Sequence, residues 1–469
     1  CEKLVQDVHY RDSIREPMND FFRFQNKALI SATPIVPEKD SRFDGFMRVL
    51  IQPDYVYRQK LKLITTNNVL ETLQEVIEAK RGTVCIFCNS IDSIDSFYRL
   101  IPELSNACTF CSEDGQYKLW KGNRRKKSMM ITELERYNFF TSRFYSAVDI
   151  LCKNPPHVIF VSDLYGAAQS VIDPATEAIQ IIGRFRGGVN SVTHIASIRP
   201  ELECMSSSEI DHWIQGASTI FNGWKAQLAR TTNIGERTLL QEAIGENSYL
   251  PYLDENGKPD SFLIANFYEK EQVKRLYTSA DLLHLAYEQT GYFVFSHEER
   301  LMPVSDNERM AIQHRLAKKK RAELIVRKLE EMEKMSKATD KKIQKRYQRM
   351  LMNMITSTAD RYIYDCFCRF GAEFVREADY NENKLRTALN VSSEHTIKKS
   401  GQMRTYIQRA FPVGAEISVQ EAKSMLRQVY KKMGLNTGRG ITTKELEQYA
   451  EIENSRNREA RMIKILKHK

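Results

Sequence analysis

Glycine and proline are scarce in this chain, with 20 and 13 residues among 469. That scarcity excludes collagen-like and low-complexity sequences, argues against an all-β fold, and points to helix-rich structure. No run of 18 apolar residues occurs, so no membrane span is expected. Nothing near Cys1 resembles a signal peptide, and the lack of an initial Met suggests a chain that starts inside a larger protein. Nine cysteines, odd in number and sparse, fit a reducing cytoplasmic setting better than a disulfide scaffold. Against these absences stand 42% hydrophobic and 28% charged residues, enough to form cores and to exclude wholesale disorder. At about 150 residues per domain the length suggests roughly three domains.

The net charge of +10 is concentrated in one place. Between Asn307 and Met350 there are 15 Lys/Arg and 6 Asp/Glu, and the rest of the chain is nearly neutral. Such a stripe suits nucleic acid or another polyanion. A solvated helix face is the plainer alternative.

Apolar runs of strand length fall at 27–33 (KALISAT), 47–51 (MRVLI), 83–88, 107–111, 137–140, 157–161 and 192–197. Helical patterns separate several of them, at 68–80, 91–101 and 175–185. Strands alternating with helices predict an α/β fold with a parallel sheet, and cover on both faces explains strands that are apolar throughout. After residue 205 the strand signal fades and 206–300 read as mostly helical. Residues 307–352 lack Pro and Gly and predict one or two long helices. Two capping boxes, Ser418–Glu421 and Thr442–Glu445, mark a compact helical tail module of helix-turn-helix type.

Four segments carry the chemistry. Ser31-Ala32-Thr33 closes the first apolar run; Val84–Ser90 is a strand with polar residues at its C-terminal end; residues 141–150 (TSRFYSAVDI) follow a strand; and Gln180, Gly183, Arg184 and Arg186 lie on a helical pattern. In this order they resemble the superfamily 2 helicases and nucleic-acid translocases. Ser-Ala-Thr is that family's motif III. Its motif V, T-D/S-x-x-x-x-G-x-D-I, matches 141–150 in register except that Ala147 stands where the family has Gly. Its motif VI, Q-x-x-G-R-x-x-R, matches at Gln180, Gly183 and Arg184, while Gly187 occupies the second Arg position and Arg186 lies one residue early. The likeness covers roughly residues 1–200.

The resemblance implies two RecA-like domains with ATP between them. Arg184 becomes the arginine finger, an element worth about 10³–10⁵ in rate, with Gln180 one turn earlier and Arg186 as a second candidate. Asp149 and Gly183 border the nucleotide, and Ser31 and Thr33 couple its state to domain closure. Glu2 takes the last position of motif II. No G-x-x-x-x-G-K-[ST] occurs, so ATP phosphates and Mg²⁺ are expected to be held mainly upstream of this chain, which has no metal site of its own. Thr141, Ser90, Arg124, Arg125, Lys341 and Lys345 are the candidate nucleic-acid residues, with DNA favoured over RNA. The domains expected are 1–45, the end of a first RecA-like domain; 46–205, a second; 206–380, a helical accessory domain with a basic helix at 307–350; and 381–469, a small helical module suited to a protein partner. The function implied is the C-terminal portion of a helicase. The alternatives are a translocase subunit of a restriction or repair complex, or a non-catalytic nucleic-acid clamp.

Weaker signals remain. Cys85-x-x-Cys88 and Cys108-x-x-Cys111 nominally fit a Cys₄ zinc pattern, but both pairs lie in strand-like runs where i and i+3 face opposite ways, so buried thiols are expected. Residues 118–127 hold six basic residues and Trp120, suited to phosphates and a stacked base. His194 is expected to be a satisfied strand residue.

Overall fold

Strands with every side chain apolar need cover on both faces, and the fold supplies it. The computed structural model describes every residue except 1, 10, 121–125, 132, 313–315, 337–344, 346, 347, 351, 353, 354, 356–359, 436–439 and 457–459. The chain divides into two units, Cys1–Arg315 and Leu316–Lys469.

The first unit is built on one sheet. Its strands are β1 Gln59–Thr66, β2 Val84–Phe87, β3 Cys108–Phe110, β4 Lys126–Ser128, β5 Tyr137–Phe140, β6 His157–Ser162, β7 Ser191–Ser197 and β8 Phe293–Arg300. They run in the order β4-β3-β5-β2-β6-β7-β1-β8, and every neighbouring pair is parallel. The helices are α1 Glu2–Gln6, α2 Glu16–Arg23, α3 Val69–Glu78, α4 Ile91–Leu100, α5 Glu113–Trp120, α6 Glu177–Gly183, α7 Ser207–Arg230, α8 Ile234–Gly245, α9 Ser261–Leu276, α10 Ala280–Gln289 and α11 Asp306–Met310. On one face of the sheet Ile86, Phe139 and Ile159 pack under α3, α4 and α5. On the other, Phe87, Phe140 and Phe160 pack under α6, α9 and α10. This is the α/β, RecA-like parallel sheet flanked by helices. The mostly helical C-terminal region that follows is the second unit: α12 Lys318–Ser336, the helices Arg361–Glu377, Glu382–Lys398, Gly401–Ala410 and Val419–Lys432, and a small antiparallel sheet.

Several boundaries differ from expectation. KALISAT forms no strand, and Ile30 is almost fully exposed. MRVLI forms none either; Met47, Val49, Leu50 and Ile51 are exposed. The sheet position is taken instead by β1, where Leu61 and Leu63 point inward between Lys60 and Lys62 and both neighbours, β7 and β8, hydrogen-bond along its length. The helical accessory domain expected at 206–380 is corrected as well. β8 completes the sheet, and Tyr277 at the end of α9 and Tyr287 of α10 are fully buried in its core. The tail 381–469 is not purely helical, because β9 Glu416–Ser418, β10 Ala450–Arg456 and β11 Arg461–His468 form a three-stranded sheet in the order β10-β11-β9.

The basic stretch 307–350 includes most of α11 and all of α12. Three members of its Lys318–Arg321 run are paired: Lys318 with Glu382, Lys319 with Asp379 at 2.7 Å, and Arg321 with the buried Asp360. Of the nucleic-acid candidates in this stretch, Lys345 is an exposed helical residue, and Lys341 lies outside the described residues.

Candidate active site

All strands of the first unit point the same way, so their C-terminal ends share one edge, where parallel sheets bind ligands. The segment 141–150 leaves β5 at that edge. Ser142–Phe144 make a short 3₁₀ turn, and Ala147 adopts a left-handed conformation with φ of 59°. That is the position where the family pattern has Gly, and a Cβ in this conformation costs about 1 kcal/mol or more. Ala147→Gly is therefore expected to hold or raise stability, by up to about 1 kcal/mol once the extra freedom of the unfolded glycine chain is deducted. Urea unfolding reads this directly, and a clear loss in the glycine variant would contradict the strained turn.

The turn delivers Asp149 to the surface and Ile150 to the core. The Ile150 N–H donates to the Arg184 carbonyl at 2.9 Å, which fixes the loop against the end of α6. Helix α6 stops at Gly183, Arg184 is its C-cap, and Gly188 has a φ of 77°. The helix therefore breaks ahead of Arg186 and turns that residue away from the helical register. Arg186 donates to Asp149 at 3.0 Å, an exposed pair worth little to stability. Arg184 is half-buried. It donates to the Gln180 carbonyl at 2.9 Å, to Gln180 Oε1 at 3.3 Å and to the Val148 carbonyl at 3.4 Å.

The described residues of 2–46 close the site from the other side. They pack on α9 through Val5, Val8, Met18 and Phe43 against Phe262 and Leu263. Gln180 Nε2 donates to the buried Thr33 hydroxyl at 2.8 Å. The Ser31 hydroxyl accepts from the Thr33 N–H at 3.1 Å and donates to the buried Glu2 carboxylate. One hydrogen-bonded network thus joins Glu2, Ser31, Thr33, Gln180, Arg184 and Val148, with Asp149 and Arg186 at its rim.

The nucleic-acid candidates are not gathered in the same way. The Ser90 hydroxyl is buried and caps α4 by accepting from the Ser93 N–H at 3.1 Å. Thr141 is buried against the Phe110 carbonyl. Arg124 and Arg125 lie outside the described residues.

Sequence reasoning missed a second link between residues 1–46 and α6. Gln6 Nε2 donates to the Thr176 hydroxyl at 2.9 Å, and Thr176 donates in turn to Asp173. Burial pushes Glu177 up to about 7 and Glu269 on α9 up to about 8, and it raises Asp173. An Asp-x-x-Thr turn ahead of a helix could have marked Asp173 and Thr176; nothing in the sequence marks Gln6. His194 is buried as expected, with its ring nitrogens 3.0 Å from the Ser162 hydroxyl and 2.7 Å from the Tyr287 hydroxyl. Cys85 and Cys108 lie in the core on one face of the sheet, Cys88 and Cys111 on the other.

Among the described residues no three His, Cys, Asp or Glu side chains are placed to hold a metal ion. Gln180 and Arg184 do suit a phosphate, as a polar side chain and a cation one helical turn apart. Among the described residues no helix is long and apolar enough to cross a membrane. No family model, curated protein or solved structure matches the chain.

Proposed function

We propose that this chain is the C-terminal portion of an ATP-dependent nucleic-acid helicase or translocase, working in the cytoplasm. The observation that carries the reading is the network linking Thr33, Gln180 and Arg184. Three sequence segments resembling motifs III, V and VI, far apart in the chain, meet through hydrogen bonds around helix α6.

In this reading ATP lies against Gln180 and Arg184, and its hydrolysis supplies the driving force. Arg184 places positive charge where the γ-phosphate develops negative charge, and Gln180 orients the guanidinium. Thr33 senses the position of Gln180, and Ser31 relays it to Glu2. No step is assigned to Mg²⁺ on this chain, and the phosphate loop belongs to a segment this sequence does not contain.

The test is ATP hydrolysis with and without nucleic acid. The 469-residue chain alone is expected to show negligible turnover, since an arginine finger with no bound phosphate has nothing to stabilise. A protein joining this chain to a phosphate-loop domain is expected to show turnover stimulated by nucleic acid. Robust hydrolysis by the chain alone would overturn the split site. No hydrolysis by the joined protein, with nucleic-acid binding intact, would support the non-catalytic clamp.

A further inference from the structure

Two cysteines of the first unit meet although 67 positions separate them. Cys85 lies on β2, inside the sheet, with Asn138 of β5 and Val158 of β6 beside it in register. It is fully buried in the core that holds Phe87, Phe140 and Phe160. Cys152 follows the segment 141–150, is half-buried, and packs against the same core. The Cys85 thiol donates a hydrogen bond to the Cys152 sulfur.

The backbone holds them there from both ends of the intervening loop. Two residues before Cys152, the Ile150 N–H donates to the Arg184 carbonyl at 2.9 Å, and beyond it the His157 N–H donates to the Thr83 carbonyl at 2.9 Å. Cys88, the nearest cysteine to Cys85 in sequence, packs on the opposite face of the sheet and cannot reach it. The two thiols that do meet are not equivalent. Burial, together with the hydrogen bond it donates, raises Cys85 well above the ordinary thiol value and keeps it protonated. The hydrogen bond it accepts lowers Cys152. The thiolate is the nucleophile of sulfur chemistry. Of the pair, only Cys152 is open to solvent.

We propose that Cys152 and Cys85 are an oxidation site for hydroperoxides, Cys152 taking the oxygen and Cys85 closing a disulfide. In the first step the Cys152 thiolate attacks one peroxide oxygen. The S–O bond forms, the O–O bond breaks, and the other oxygen leaves as hydroxide, which solvent protonates. Cys152 is then a sulfenic acid, oxidised by two electrons. In the second step the Cys85 sulfur attacks the Cys152 sulfur. The S–S bond forms, the S–O bond breaks, and the Cys85 proton departs with that oxygen as water. The hydrogen bond between the thiols places the resolving sulfur beside its target before oxidation begins, so the second step outruns further oxidation of Cys152. In a reducing cytoplasm such a bond is transient and senses oxidant rather than building structure. The proposal does not rest on the ATPase reading.

The experiment treats the folded, fully reduced 469-residue chain with hydrogen peroxide, blocks the remaining thiols with iodoacetamide in urea, and maps every cysteine by peptide mass spectrometry. The peptide carrying Cys85 is expected to be joined to the one carrying Cys152 within a single chain, and dithiothreitol is expected to release it. Closing so long a loop removes entropy from the unfolded chain, so the urea midpoint is expected to rise on oxidation. Cys152→Ser, a change at a half-buried position, is expected to leave Cys85 reduced and the midpoint unmoved by peroxide. Cys204→Ser/Cys368→Ser, at half-buried and exposed positions elsewhere, is expected to keep the link. Cys152 left reduced by peroxide, Cys152 carried on to sulfinic acid with Cys85 free, or Cys152 joined to a different cysteine would each overturn the proposal. So would a midpoint that does not rise in the linked wild-type chain, or Cys85 oxidised as readily in Cys152→Ser.

Discussion

Arg184→Ala, made in an ATPase-competent protein containing this chain, is expected to lower kcat by about 10³-fold or more with ATP affinity nearly unchanged. The reason lies in what holds the side chain. Its partners are two carbonyl oxygens and an amide oxygen, and among the described residues no carboxylate pairs with it. The guanidinium is therefore oriented without being neutralised, and its full charge is available to a phosphate. Arg184→Lys keeps the charge but loses the fork, so an intermediate loss is expected. Arg186→Ala should be milder, because α6 ends at Gly183 and Arg186 is already balanced by Asp149. Steady-state hydrolysis with kcat and KM determined separately distinguishes these outcomes. A neutral Arg184→Ala would remove the residue from the site.

The second large effect is a pH dependence of stability. His194 is fully buried, and that burial drives its pKa down to about 3. In the unfolded chain it returns to about 6.5. The folded value is the lower one, so the stabilisation is complete above the unfolded pKa and is lost as pH falls toward the folded one. From pH 7 to pH 4 the loss through this residue comes to about 3 kcal/mol. Glu177 works in the opposite sense. Its pKa is raised to about 7, so its contribution fades as pH climbs from the ordinary carboxylate value. Urea unfolding at pH 7 and pH 4 should show a smaller difference for His194→Gln than for wild type. Equal differences would mean that the imidazole is not buried neutral.

The strands most legible in the sequence were those buried on both faces. Val84–Phe87, Tyr137–Phe140 and the centre of His157–Ser162 are nearly unbroken apolar runs, because helices cover both sides. β1 was hidden because it begins near the edge of the sheet, where Lys60 and Lys62 alternate with Leu61 and Leu63 and dilute the apolar signal. MRVLI misled for the converse reason: apolar composition does not create a neighbouring strand with which to pair. At the site, Gln180, Arg184 and Asp149 were legible because spacing carries them. Arg186 could not be placed from helical geometry, since the helix stops three residues earlier. The charge run at 318–321 was legible as composition but not as function, since its partners Glu382, Asp379 and Asp360 lie 39 to 64 positions away.

The seat of β1 has a consequence for how the chain is made. Its partners β7 and β8 begin roughly 130 and 230 residues after it, so the sheet depends on pairings of high sequence separation, which form slowly. A ribosome adding about 5–20 residues per second needs roughly 10 to 50 seconds to pass from β1 to β8. Throughout that interval one side of β1 presents unpaired backbone and half-covered Leu61 and Leu63, a ready template for a neighbouring nascent chain. Translation that stalls between residues 200 and 290 should therefore yield aggregating products, and the same chain released after residue 300 should not.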